Sequence, residues 1–151
     1  MSYESKLPDK PSELIRVALG DLQKCIDDPH YSIDMNNWHV PCVGYCSVCL
    51  AGAVMAKTFE IDPRAGTTPG KYFKREWNNP DFIKLEALDR FRCGQIYNGL
   101  ICMRLDPSPS RNALDEAYRL GSTMRAFNSD YPEHFLGDMR LIVRELERVG
   151  Y

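Results

Sequence analysis

The sequence lacks the long apolar runs and the signal segments that direct a chain into or across a membrane. No run approaches the roughly 18 residues of a membrane-spanning helix, and the start MSYESKLPDKPSE has neither the basic nor the apolar region of a secretion signal. The net charge is only −2, so no global attraction to nucleic acid or anionic lipid arises. We therefore expect a cytosolic protein with no membrane partner, and the charge disfavours nucleic acid.

The sequence also lacks the signatures of common catalytic and redox sites. Its six cysteines are not spaced like a dense disulfide scaffold, so we expect free thiols. In the stretch AGTTPGKY, Gly66 and Gly70 are too close for a phosphate-binding loop, and Tyr72 stands where serine or threonine would bind magnesium. We expect no cofactor, and an enzyme is the weakest function class for this chain.

The composition is that of an ordinary globular domain, with 44% apolar and 26% charged residues. Helical spacing of the apolar residues predominates, and there is no internal repeat. We predict a mainly α fold, a single compact helical domain over residues 11–151 with about five or six helices and at most a small β-hairpin. Residues 1–10 are polar and predict a flexible N-terminus.

Apolar residues recur at steps of three and four in several stretches and predict helices there. The predicted helices cover residues 11–28, 46–59, 79–94, 112–127 and 133–149. The period of residues 95–105 is ambiguous, and alternation over residues 31–35 predicts a short strand. Residues 61–80 are rich in proline, glycine, asparagine and threonine and predict a long surface loop.

Residues 39–49, HVPCVGYCSVC, are called here the cysteine segment, since they hold three of the six cysteines and one of the three histidines. One interpretation is a zinc site with an H-x2-C-x3-C-x2-C array of ligands, His39, Cys42, Cys46 and Cys49. Structural zinc sites usually join two ligand pairs across an intervening stretch, which this array does not do. A second interpretation is a C-x2-C redox pair at a helix start, but no βαβ order surrounds it.

The interpretation that we favour is close packing of a buried helix without metal. On a helix over residues 46–59, small side chains form one stripe at steps of three and four, namely Cys46, Cys49, Ala53 and Ala56. Gly52 adds a second smooth face beside this stripe. Such faces let another helix approach closely, and free cysteine packs as a small apolar residue.

Three stretches, KPSELIRVAL, YSIDMNNWH and CSVCLAGAVMAKT, carry a resemblance to a known group of proteins. They resemble a family of small uncharacterised proteins encoded by tailed bacteriophages and prophages, and the sharpest part is C-x-V-C-L-A-G-A-V-M-A. The likeness covers about the first 60 residues. It implies a phage gene expressed in the bacterial host cytoplasm, and it implies no site residues, because the family has no known function.

Basic and aromatic residues alternate in the predicted loop, and we call residues 64–77 the basic loop. The candidate ligand-binding residues there are Lys71, Tyr72, Lys74, Arg75 and Trp77. Such a patch can stack on and neutralise a nucleotide, although a solvated connector can have the same composition. Trp38 precedes the cysteine segment and is a further candidate for the wall of a pocket.

These patterns predict a binding protein rather than a catalyst. The leading hypothesis is a non-enzymatic phage accessory protein that binds a host protein or a small anionic ligand, with a homo-oligomer as one expected form. One alternative is a protein that sequesters nucleotides and so blunts host defence signalling. Another alternative is a small zinc-binding interaction module built on the cysteine segment.

Overall fold

Seven α-helices and one three-stranded sheet form the part of the chain that the computed structural model describes, residues 3–124 and 131–151. The helices are α1 (Pro11–Ile26), α2 (Leu50–Lys57), α3 (Pro69–Tyr72), α4 (Pro80–Arg92), α5 (Ile96–Cys102), α6 (Asp115–Thr123) and α7 (Pro132–Arg148). The strands are β1 (Tyr31–Ile33), β2 (His39–Cys42) and β3 (Tyr45–Val48). The predicted mainly α fold is confirmed.

The predicted count of five or six helices is wrong because two short helices raise it to seven in the described ranges. Helix α3 lies inside the predicted loop, where the Thr68 hydroxyl accepts a hydrogen bond from the Lys71 backbone N–H at 3.3 Å and Pro69 occupies the first turn. Helix α5 occupies the stretch of ambiguous period. Helices of four and seven residues are too short to show a clear apolar period.

Helices α1 and α7 pack together, and α2 lies on another side of α1. The two chain ends meet where the backbone N–H of Ser12 donates to the carbonyl of Tyr151 at 3.1 Å. Helix α6 follows a 3₁₀ turn, Asn112–Leu114, and ends at Thr123, whereas the predicted end at Phe127 and most of the predicted turn over 128–132 lie outside the described residues. Within the described ranges, no helix is long and apolar enough to cross a membrane.

The predicted helix over residues 79–94 is found as α4. The Asn79 side chain accepts hydrogen bonds from the backbone N–H groups of Asp81 at 2.9 Å and Phe82 at 3.1 Å, which satisfies the first turn. The helix ends just before Gly94, whose φ of +76° suits glycine and stops the helix. Its N-terminal half lies beside α3 and positions residues of the candidate site described below.

The sheet has the strand order β1-β3-β2 and is larger than the predicted hairpin. Strands β2 and β3 are antiparallel and are joined at Val43 and Gly44, where Gly44 has a φ of +85°. Strand β1, within the predicted extended stretch, pairs with β3 in parallel so that Tyr31 lies opposite Cys46. Buried side chains of one face complete the core with those of the helices.

The predicted helix over residues 46–59 is wrong in its first turn. Residues 45–48 form β3, and α2 begins only at Leu50. Every residue from Cys46 to Ala56 is buried, so the apolar run is continuous and its periodicity could not separate a strand from a helix. Cys46 therefore lies in a strand and Cys49 is the N-cap of α2, and the predicted helical stripe of small residues does not form.

The N-terminal segment makes specific contacts that its polar composition did not predict. Leu7 is buried, and the backbone N–H groups of Lys6 and Leu7 donate to the Asp81 carboxylate at 2.9 and 3.2 Å. The ammonium group of Lys84 donates to the Leu7 carbonyl at 2.8 Å and forms an ion pair with Asp9 at 2.7 Å. These bonds tie residues 6–9 to α4, and the flexibility of residues 1–10 stays a prediction.

Candidate ligand-binding cleft

The four residues of the zinc hypothesis do not converge. In β2 and β3, successive side chains alternate between the two faces of the sheet. His39 and Cys46 lie on the buried face, whereas Cys42 is exposed on the other face with its Sγ 3.8 Å from the Ser47 hydroxyl. Across residues 3–124 and 131–151, no three histidine, cysteine or acidic side chains form a group that could hold a metal ion.

His39 anchors the basic loop to the sheet. Its ring Nδ1–H donates to the Ala65 carbonyl at 2.6 Å, and its backbone carbonyl accepts from the Thr67 N–H at 3.1 Å. The donation assigns the proton to Nδ1 and leaves Nε2 as a buried acceptor with no hydrogen-bond partner. The predicted zinc ligand thus fixes the point at which the basic loop leaves β2.

The thiols of the favoured C-x2-C pair are unsuited to redox chemistry. Burial raises the pKa of Cys46 and of Cys49 to about 11, so both remain protonated at neutral pH. The Cys49 Sγ accepts from the Gly52 backbone N–H at 3.4 Å, which makes it a helix cap. The redox interpretation requires a reactive thiolate at this position and is not supported by this environment.

The predicted close approach does occur at Gly52, but its neighbour is not a helix. A Cβ atom added at Gly52 would lie 1.4 Å from the Trp38 carbonyl oxygen and 2.6 Å from its carbonyl carbon. Only glycine leaves room for the Trp38 backbone to lie directly on α2. Gly52 thereby sets the position of Trp38, which is one of the candidate ligand-binding residues.

Four of the six candidate ligand-binding residues line one cavity of about 310 Å³, which we call the tryptophan cleft. They are Trp38, Lys71, Arg75 and Trp77. The rest of its wall comes from residues 68–70 and from Phe82 and Glu86 on α4. The cleft volume lies at the lower end of the range of about 300 to 1,000 Å³ that is typical of small-ligand sites.

The aromatic walls of the cleft are held by the fold yet remain accessible. Trp77 packs edge-to-face on Phe82, with ring centroids 5.1 Å apart and planes at 77°, and is still 61% exposed. Trp38 is half-buried, with its backbone held against Gly52. The chain has only two tryptophans, and both lie in this cleft.

The backbone of the basic loop is strained where it turns between the two sides of α3. Lys74 and Arg75 have φ angles of +53° and +58°, in the left-handed region that side chains other than glycine rarely adopt. The Arg75 N–H donates to the Gly70 carbonyl at 2.7 Å and stabilises this turn. Strained backbone of this kind is concentrated at functional sites, where the surrounding structure maintains it.

The charged groups of the tryptophan cleft have no partners within the described residues. The side chains of Lys71 and Arg75 make no hydrogen bond or ion pair there, and neither does the Glu86 carboxylate. By contrast, Lys84 on the same side of the molecule has three acceptors within 3.0 Å. The cleft therefore combines aromatic surface with cations and one carboxylate that are free to contact a ligand.

The other two candidates, Tyr72 and Lys74, line a neighbouring cavity of about 460 Å³ that we call the tyrosine cleft. Tyr3 and Glu76 also line it. Lys74 and Arg75 are adjacent in sequence but belong to different clefts, because two consecutive left-handed residues reverse the direction of the chain. The sequence could not predict this division, since it depends on backbone angles and not on residue type.

Sequence reasoning missed Glu86 and Phe82, which form the α4 wall of the tryptophan cleft. Phe82 was assigned only to the core, and Glu86 was treated as an ordinary polar position. The two residues are four apart on one helix, so they share a face. A carboxylate one turn from an aromatic residue near the basic loop is the signal that could have indicated them.

Comparison with known protein families, with curated protein sequences and with solved structures gives no match to this chain. The resemblance to phage proteins therefore stays a prediction.

Proposed function

We propose that the protein is a non-catalytic binding protein whose tryptophan cleft holds a small planar anion of the nucleotide class. The observation that carries this proposal is the convergence of Trp38, Trp77, Lys71 and Arg75 on one cavity. Aromatic rings bind bases by stacking, and unpaired lysine and arginine side chains bind phosphate by charge-assisted hydrogen bonds. The phage resemblance adds the proposal of an accessory role in the bacterial host cytoplasm.

A binding role fits the cleft better than a catalytic one. The described residues that line the cleft include no cysteine, histidine, serine or tyrosine that could serve as a nucleophile beside a base. Its polar groups are two cations, one carboxylate and the Thr68 hydroxyl, which caps α3. These groups can hold and neutralise a ligand, and sequestration of a host signalling nucleotide needs no more than that.

Calorimetry with a panel of linear and cyclic nucleotides tests the proposal. We expect saturable one-site binding that weakens as salt rises, because the cations are exposed and screened. The double variant Lys71→Ala/Arg75→Ala should bind at least about 100-fold more weakly, since each charge-assisted hydrogen bond contributes about 1.5–3 kcal/mol. The matched variant Lys74→Ala removes a cation that faces the tyrosine cleft, and its affinity should change less than about threefold.

Absence of heat with every nucleotide would remove the proposal. A large loss in Lys74→Ala equal to that of the double variant would mean that net charge, and not the cleft, determines binding. Both outcomes are distinguishable from misfolding by circular dichroism of the three proteins.

A second candidate function is the binding of a host protein by an exposed aromatic surface. Tyr3, Tyr72 and Trp77 are 46%, 41% and 61% exposed, around the basic loop. Aromatic residues of this kind are enriched at binding hot spots, where truncation costs about 2 kcal/mol or more and salt has little effect. Stoichiometric capture of one host protein that Tyr72→Ala abolishes and that nucleotide does not displace would favour this candidate.

A further inference from the structure

Glu86 is the one acidic residue of α4 without a partner in the described part of the chain. The helix carries three carboxylates. Asp81 accepts hydrogen bonds from Tyr3, Ser5 and the backbone of residues 6 and 7, and Asp89 forms an ion pair with Arg92 at 2.7 Å. Glu86 lines the tryptophan cleft with no hydrogen bond or ion pair.

The surroundings of Glu86 leave its charge uncompensated. Burial raises the pKa of its carboxyl above the ordinary value, the charge of Asp89 raises it further, and Arg90 only partly offsets the rise. Lys71 and Arg75 line the same cleft but contribute nothing to this shift. The cations and the carboxylate therefore lie apart within the cleft, and a ligand between them meets a basic end and an acidic end.

A nucleotide has two ends of the matching kinds. Its phosphate is anionic and suits Lys71 and Arg75, while the edge of its base offers hydrogen-bond donors or acceptors. An ionised carboxylate only accepts hydrogen bonds, so it selects a base edge by the number of adjacent N–H donors. The stacking surface between the two ends is supplied by Trp38 and Trp77.

Among the common bases, guanine alone presents two adjacent donors, N1–H and the exocyclic N2–H₂, to one carboxylate. Adenine and cytosine place a ring-nitrogen acceptor beside their amino group, and that lone pair repels a carboxylate. Uracil and thymine have one N–H between two carbonyl oxygens. A bidentate contact to guanine thus discriminates against every other common base, as bidentate base contacts do elsewhere.

Resting on the proposed function, we propose that the tryptophan cleft selects guanine nucleotides. The Glu86 carboxylate accepts hydrogen bonds from guanine N1–H and N2–H₂, and Lys71 and Arg75 hold the phosphate. The base stacks against the cleft tryptophans.

Calorimetric titration of the full chain with GDP, IDP, ADP and UDP tests this selectivity. GDP should bind at least about tenfold more tightly than ADP or UDP, and IDP, which lacks the 2-amino group, should fall between them. Glu86→Gln keeps the side-chain size but replaces one acceptor oxygen with a donor, so it should reduce the GDP-to-ADP ratio to within about twofold of one. ADP affinity of this variant reports whether the cleft is intact.

The matched control is Glu76→Gln, which makes the same change of charge at an exposed residue of the neighbouring tyrosine cleft. It should retain the wild-type GDP-to-ADP ratio. Equal affinities of the wild type for GDP, IDP and ADP overturn the guanine inference and leave the proposed function standing, and this result needs no variant. The same conclusion follows if Glu86→Gln keeps the GDP preference, whereas no binding of any nucleotide overturns the proposed function itself.

Discussion

The cysteine segment and the basic loop lie against each other, yet they use their polar side chains in opposite ways. The cysteine segment buries His39, Cys46 and Cys49 and uses them for hydrogen bonds within the fold. The basic loop leaves Lys71 and Arg75 without partners at the rim of a cleft. A dense cluster of metal-ligand residue types is therefore no site when strand alternation divides it between two faces, whereas a loop of ordinary composition can form one.

The two regions are also connected through Trp38. Gly52, at the start of α2, receives the Trp38 backbone, and His39 pins the basic loop at Ala65 and Thr67. The packed region thus sets the geometry of the accessible one. The following predictions test this division of labour, beginning with the largest expected effect.

Gly52→Ala should destabilise the fold by about 3 kcal/mol or more, because the new methyl group would overlap the Trp38 carbonyl and only a backbone shift can relieve it. The control is Gly20→Ala on α1, where an added Cβ meets nothing within 4 Å and alanine should raise stability by up to about 1 kcal/mol. Chemical denaturation measures both variants. Similar stabilities would mean that Trp38 does not depend on Gly52.

Trp77→Ala should weaken nucleotide binding by about 1–3 kcal/mol, the usual range for loss of one base–aromatic stack. Its cost to stability should stay below about 1.5 kcal/mol, because the exposed ring loses mainly its contact with Phe82. Tyr72→Ala, in the tyrosine cleft, should leave nucleotide affinity unchanged. Calorimetry and thermal denaturation separate the two effects, and a stability loss without a binding loss would place Trp77 in the core alone.

Cys46→Ser should cost about 1–2 kcal/mol, since it places a hydroxyl with limited hydrogen bonding at a fully buried position. Cys42→Ser, on the exposed face of the same sheet, should change stability by less than about 0.5 kcal/mol. The pair measures how far strand alternation separates the two cysteines. Equal costs would indicate that both side chains share one environment, as a common metal site requires.

A strong chelator should leave far-ultraviolet circular dichroism and unfolding midpoint unchanged, because packing and not coordination stabilises the cysteine segment. Zinc sites that stabilise a fold release metal and lose structure under this treatment. Release of one zinc ion per chain with loss of helix signal would contradict the buried-face assignment of His39 and restore the zinc hypothesis.

The sequence predicted the long periodic helices well, because α1, α4 and α7 each show an apolar period that tertiary packing preserves. It could not place the boundary between β3 and α2, since a run buried on all sides carries no period. Four of six candidate ligand residues were correctly grouped by residue type, but the division of Lys74 from Arg75 depends on left-handed backbone angles. Glu86 was missed because its role depends on which carboxylates of α4 lack partners.

The most direct test of the central claim uses the two tryptophans as the only indole reporters of the chain. Both line the tryptophan cleft, so a nucleotide that stacks there should change nearly all of the tryptophan emission. We predict saturable quenching on titration with GDP, with the same midpoint as calorimetry and absent in Lys71→Ala/Arg75→Ala. Emission that stays constant while calorimetry records binding would locate the nucleotide elsewhere and contradict the account.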